Sequence, residues 1–293
     1  MTLADQGKLA DLALRLAGVT LIFGLLLIGV GSAQAQCEPT EWAKLLASDG
    51  AEYDYFGRSV SISGDIAVIG AHGDDDNGSN SGSAYVFRYD GVEWIEEAKL
   101  LPSDGASSDY FGRSVSISGD TAVTGAPDAG WQNFGSAYVF RYDGAKWVEE
   151  AKLLASDGSH EDFGWSVSIS GEIAVVGTIS NSAYVFRRQG ANWMEEAKLL
   201  PSDGESGDYF GRSVSISGET ALIGAIYDDD NGSNSGSAYV FRRQGANWTE
   251  EAKLLPSDGA EYDYFGVSVS ISGDIAVIGA DGDDHNGDGS GSA

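Results

Sequence analysis

Residues 54–71 read DYFGRSVSISGDIAVIGA, and the chain returns to this stretch four more times. Phe56-Gly57, Phe111-Gly112, Phe163-Gly164, Phe210-Gly211 and Phe265-Gly266 mark the copies, at intervals of 55, 52, 47 and 55 residues. Repetition at this period means one supersecondary unit per copy, with the core buried between neighbours. In the first copy Phe56, Arg58, Val60 and Ile62 alternate with Gly57, Ser59, Ser61 and Ser63, which predicts a strand over residues 56–63. Its small-residue face suits an innermost strand, where neighbouring units approach closely. Ser63-Gly64 turns into a mainly apolar second strand, residues 65–71. Residues 83–88 read as a third strand, and Asp90-Gly91 leads into a fourth at residues 94–101. Glu96, Glu97 and Lys99 are charges of the kind that protect an outer edge from aggregation.

Four antiparallel strands per unit, apolar inside and charged at the outer edge, make a propeller blade. The fold class is therefore all-β: a β-propeller of four-stranded blades over residues 36–293, with copies opening near 54, 109, 161, 208 and 263. No window sustains a 3.6-residue period, which excludes a helical solenoid, and a β-sandwich has no need of one unit five times. Trp42, Trp94, Trp147, Trp193 and Trp248 recur at the head of the fourth strand. A sugar-stacking stripe is one reading of them. Recurrence in every copy favours blade-to-blade packing.

The 293 residues include 41 Gly and only 5 Pro, as many short strands with tight turns require. Against 45 acidic residues stand 17 Lys and Arg, a formal net charge of −28. That field repels a phosphate backbone, so nucleic acid is excluded as a partner. Cys37 is the single cysteine, which rules out an internal disulfide and a cysteine-based zinc site. Residues 12–30 are mostly apolar, and Ser32-Ala33-Gln34-Ala35 supplies small residues for cleavage after Ala35. Residues 1–35 read as a signal peptide, giving a secreted or cell-surface protein. The strongest apolar run, residues 19–30, is short of the roughly 20 residues a spanning helix needs, so the mature chain has no expected membrane span.

Phe-Gly, a strand, a turn, a second strand and Gly-Ala together resemble the FG-GAP repeat, over residues 42–293. Only Gly125-Ala126-Pro127 spells the full motif; Gly70-Ala71, Gly224-Ala225 and Gly279-Ala280 lack the proline, and the third copy has Gly177-Thr178. That repeat builds the β-propeller head of integrin alpha subunits and many secreted bacterial proteins. The resemblance implies ligand binding through surface loops, in adhesion or recognition. Integrin-type repeats place a D-x-D-x-D-G calcium loop between the first two strands; here that interval is the turn Ser63-Gly64-Asp65, so those ligands do not carry over.

Acidic residues gather instead between the second and third strands. The candidate Ca²⁺ ligands are Asp74, Asp75 and Asn77 in the first copy, Asp228, Asp229 and Asn231 in the fourth, and Asp283, Asp284 and Asn286 in the fifth. The competing reading is a solvated turn of good turn formers. In the second copy this loop carries Trp131 and Phe134, and in the third it shrinks to Ile179-Ser180-Asn181. Trp131 and Phe134 are candidate contacts for a ligand, or side chains folded onto their own blade. Trp165, where other copies have Arg58, Arg113 and Arg212, is a weaker candidate of the same kind.

His72, His160 and His285 stand alone, and neither a nucleophile elbow nor a phosphate loop is present. The expected function is a non-enzymatic scaffold binding an extracellular protein or glycan, supported by calcium. The alternative is the recognition module of a larger secreted enzyme. Residues 42–46 match a lone fourth strand, and the last copy stops after two strands. A fragment of a longer ring, seven blades by family expectation, fits this better than a raw edge.

Overall fold

The computed structural model describes residues 41–130, 134–158 and 162–293. Leu45–Ala293 forms one compact unit; the other, Met1–Lys44, is described only over its last four residues, which carry no strand. The signal peptide read from residues 1–35 lies outside the described residues.

Five antiparallel sheets follow one another along the chain, and there are no helices among the described residues. The first blade is β1 (Val60–Ser63), β2 (Ile66–Ala71), β3 (Ser83–Tyr89) and β4 (Trp94–Leu100). The second is β5 (Ser114–Ser118), β6 (Thr121–Ala126), β7 (Ser136–Tyr142) and β8 (Trp147–Leu153). The third is β9 (Ser166–Ser170), β10 (Ile173–Gly177), β11 (Ala183–Gln189) and β12 (Asn192–Leu199). The fourth is β13 (Phe210–Ser217), β14 (Thr220–Ala225), β15 (Ser237–Gln244) and β16 (Asn247–Leu254). Two strands, β17 (Ser268–Ser272) and β18 (Ile275–Gly279), make the fifth. Strand order within each sheet is the order of the sequence, as a propeller blade requires.

Two strand expectations need correcting. Residues 42–46 are not a strand. Every other fourth strand pairs with the third strand of its own blade, and no described strand stands in that relation to this segment. In the first copy the opening strand begins at Val60, not Phe56, because Tyr55 (φ 56°) and Gly57 (φ 92°) put a left-handed turn at the Phe-Gly pair. The fourth copy absorbs the same turn as a bulge, Phe210 facing Ala225 and Ser213 facing Gly224.

The core lies between blades. One cluster joins Ile66, Val68, Ala84 and Val86 of the first blade to Phe111, Val115, Ile117 and Tyr138 of the second. Phe111 is fully buried and meets Tyr138 and Phe140 edge-on, with ring centroids 5.6 and 5.8 Å away. Phe163 and Phe210 repeat the arrangement against Tyr184 and Tyr239. Val60 and Ile62, the equivalents with no blade before them among the described residues, are exposed.

The innermost strands explain the small-residue face. Each has a sheet partner on one side only, so backbone groups on its other edge need partners elsewhere. Serines of the preceding blade meet two amides per junction, one in the strand and one in the turn that follows it. Ser61 Oγ accepts from Ile117 N at 3.1 Å, and Ser63 Oγ from Gly119 N at 3.0 Å. Ser116 and Ser118 do the same for Ile169 and Gly171, Ser168 and Ser170 for Ile216 and Gly218, Ser215 and Ser217 for Ile271 and Gly273. In the other direction Ser59, Ser114, Ser166 and Ser213 donate to the carbonyls of Gly112, Gly164, Gly211 and Gly266, at 2.7–2.9 Å.

That carbonyl also accounts for the Gly of Gly-Ala. A Cβ at Gly125 would collide with the Gly164 oxygen, and both atoms belong to backbone that packing holds in place. Gly125→Ala is therefore expected to cost at least about 2 kcal/mol in denaturant unfolding, as overpacked cores do. Gly130, which sits in a loop and whose added Cβ would meet nothing among the described residues, serves as the comparison, with its backbone strain (φ 93°) to lose. Equal losses at the two sites would remove the steric account.

Candidate functional site

The Glu-Glu-x-Lys run of each fourth strand is a junction rather than a simply solvated edge. A bulge between Val86 and Phe87 drops Glu97 from the Cα register, and its carboxylate accepts from Arg88 of its own blade at 3.0 Å and from Trp147 Nε1 of the next blade at 2.9 Å. Glu150 and Glu196 accept from Trp193 and Trp248 in the same way, at 3.4 and 3.2 Å. The recurrent tryptophans from Trp147 on thus pack blade to blade, as their spacing suggested. Glu96 accepts from the backbone N and Oγ of Ser48, both at 2.8 Å, and Glu149, Glu195 and Glu250 hold Ser103, Ser156 and Ser202 alike.

Lys99 reaches into the first acidic loop. Its Nζ lies 2.8 Å from Asp49, 2.8 Å from Asp74 and 2.7 Å from Asp76. Asp74 is almost fully buried and also accepts from Tyr85 Oη at 3.2 Å. Burial works against the Lys99 charge, yet the hydrogen bonds with Asp49, Asp74 and Asp76 outweigh it and raise its pKa. The fourth copy repeats this: Lys253 stands 2.9, 2.8 and 2.7 Å from Asp203, Asp228 and Asp230. Asp75 and Asp229 point elsewhere, accepting from Asn80 N and Asn234 N. The backbone N of Asn77 and Asn231 donates to Ser81 and Ser235 Oγ. In the fifth copy Asp283 accepts from Ser292 Oγ at 2.6 Å and Asp284 from Gly289 N, while Asn286 N donates to Ser290. Among the described residues no group of three or more His, Cys, Asp or Glu is placed to hold a metal.

These loops also lie along the segment entering the next blade. Ser79 and Asn80 accept from the backbone N of Ser108 and Tyr110 at 2.8 and 3.1 Å, and Ser233 and Asn234 from Tyr262 and Tyr264 at 2.8 and 3.2 Å. The third copy lacks the residues to do so. Asn181, left-handed at φ 59°, stands in for the whole loop: its Oδ1 accepts from Phe210 N at 3.2 Å and its Nδ2 donates to the Glu205 carbonyl. The space not taken by a loop is a groove of about 690 Å³, lined by Ile179, Asn181, Leu200, Pro201, Glu205 and Tyr209. Leu200 is half exposed there, and Tyr209 packs against Tyr227 with centroids 4.8 Å apart. A deletion relative to the other copies was the visible sign of this groove.

A second cavity, about 330 Å³, is lined by Arg58, Arg113, Trp165, Arg212 and Val267. These are the residues after the Phe-Gly pair in all five copies, so the blades fan about a common axis and bring equivalent positions together. Trp165 is placed in this wall. Trp131 lies outside the described residues, and Phe134 is half-buried ahead of β7. No helix among the described residues is long and apolar enough to cross a membrane.

No curated protein matches the chain. A family model described as the FG-GAP repeat matches it five times, at residues 39–87, 94–140, 147–191, 193–241 and 248–293. Those matches span most of the chain, and each after the first starts on the outer strand of one blade and runs through the inner strands of the next: the protein belongs to the FG-GAP repeat family.

Proposed function

We propose that this protein is a secreted or cell-surface binding scaffold, without catalytic activity, that seats a segment of another protein in the groove of the third copy. One observation carries the reading: where the third copy's loop shrinks to Ile179-Ser180-Asn181, a groove of about 690 Å³ opens beside the segment that enters the next blade. Its lining mixes apolar side chains (Ile179, Leu200, Pro201) with Asn181, Glu205 and a tyrosine, the mixture expected of a peptide seat. Family membership supports protein binding, and the apolar leader ending at Ala35 supports export.

The test is selection from a random peptide display library on the intact chain, followed by affinity measurement. Grafting the first loop, residues 73–81, in place of Ser180-Asn181 refills the groove. Peptides selected on the wild type are expected to lose at least tenfold affinity for the graft, and to keep affinity for a Trp131→Ala, Phe134→Ala variant. Equal binding to wild type and graft would contradict the proposal. Loss in the aromatic variant alone would move the seat to the second copy.

In the first and fourth acidic loops the lysine supplies the positive charge that calcium was expected to bring. The melting temperature of the wild type is accordingly expected to stay put between Ca²⁺ and chelator. Lys253→Met leaves the buried Asp228 with Tyr239 Oη but no cation and is expected to cost on the order of 3 kcal/mol. Ca²⁺ should return part of that loss, since three carboxylates freed of an ammonium are hard oxygen ligands. A wild-type protein that melts higher in Ca²⁺ would show the loops to bind metal despite the lysines.

A further inference from the structure

Nine arginines lie in the described residues, in a chain with 45 acidic residues. Six of them, Arg88, Arg141, Arg187, Arg188, Arg242 and Arg243, have a carboxylate partner within 4.0 Å. The remaining three, Arg58, Arg113 and Arg212, have none among the described residues, and all three line the axial cavity. So large an acidic excess leaves no shortage of partners. The three that lack them are the three the fold brings together.

Two of them are also held in place. Arg113 lies on Trp165, its guanidinium carbon 3.6 Å from the ring centroid, and Arg212 approaches the same ring at 5.5 Å. Arg212 Nε is buried with no hydrogen-bond partner among the described residues. Burial, then Arg58 and Arg212, pull the Arg113 pKa down; Asp128 and Asp162 offset part of this from beyond ion-pair distance. Nearby His72, stacked on Tyr55, is lowered to about 4 by burial and by Arg58 and Arg113. The axis thus gathers positive charge in an acidic molecule, with guanidinium donors left over. Holding like charges together, two of them half-buried, destabilises the free protein, and an anion bound among them offsets the penalty.

We infer that the axial cavity is an oxyanion site, in which Arg58, Arg113 and Arg212 bind a carboxylate, sulfate or phosphate group of a ligand, and Trp165 holds two of the guanidiniums in position. Guanidinium forks match the paired oxygens of these groups. The cavity accommodates such a group with a few attached atoms. The site is independent of the groove in the third copy.

The experiment is isothermal titration of the intact protein with sodium citrate, sulfate and phosphate at constant ionic strength, with thermal unfolding in the same solutions. Saturable one-to-one binding is expected for at least one anion, and the anion preferred tells a carboxylate source from a sulfate or phosphate one. Arg212→Gln and Arg58→Gln are each expected to weaken that binding at least tenfold. In chloride alone both variants should melt at or above the wild type, because repulsion at the axis is relieved. General salting effects act on wild type and variants alike and so cancel in the comparison. Absence of saturable binding for all three anions would overturn the inference. So would variants that melt lower in chloride while keeping the wild-type anion response, which would make the cluster a packing device only. Arg58, which does not touch Trp165, keeps the test decisive if Arg212→Gln fails to fold.

Discussion

An innermost propeller strand is a sheet edge that cannot be left bare, and the way this edge is closed sets much of the rest. Backbone N–H groups of the strand have no sheet partner on the axial side, and an unpaired buried amide costs about 1–3 kcal/mol. Serines of the preceding blade meet one such amide and that of the glycine in the turn after it, while a third serine donates to the Gly carbonyl of the following Phe-Gly pair. Those contacts need short side chains and a bare backbone on the facing strand. Ser-x-Ser-x-Ser and the glycine of Gly-Ala follow from that one requirement.

The outer strands solve a different problem with charge. Glu97 turns outward on a bulge and meets the next blade's tryptophan; Glu96 holds the linker serine; Lys99 gathers carboxylates from the linker and the acidic loop. Blade is thus joined to blade by hydroxyls near the axis, by Phe and Tyr rings in the middle layer, and by charge-assisted bonds at the rim. Departures from the repeat then acquire meaning. Where a loop is missing a groove opens, and where a tryptophan replaces an arginine it becomes the surface on which its neighbours' arginines lie.

Much of the fold was legible in the sequence, because period-two alternation and a fifty-residue repeat are local signals. The inward small face of Ser59, Ser61 and Ser63 and the packing role of Trp147 came from pattern alone. Residues 42–46 misled, since a strand-like pattern says nothing about whether a partner strand is present. The rim network was hidden for another reason: Glu96 and Ser48, or Lys99 and Asp49, are about fifty residues apart, and charges on an exposed edge look the same paired or unpaired. Arg58, Arg113 and Arg212 were visible only as a recurring position, and their meeting at one axis is a property of blade geometry that no single copy contains. The acidic loops were read by their ligands-in-waiting, while the cation that meets two of them sits on a strand of the same blade.

Native-state hydrogen exchange at the amides of Ile117, Ile169, Ile216 and Ile271 tests the central claim most directly. If serine capping closes the axial edge, these four amides exchange as slowly as those inside the sheets, and Ser116→Ala speeds exchange at Ile169 while Ile216 keeps its protection. Exchange at loop-like rates in the unaltered protein would contradict the account, because the axial edge would then be open to water and the serine face would have no structural role.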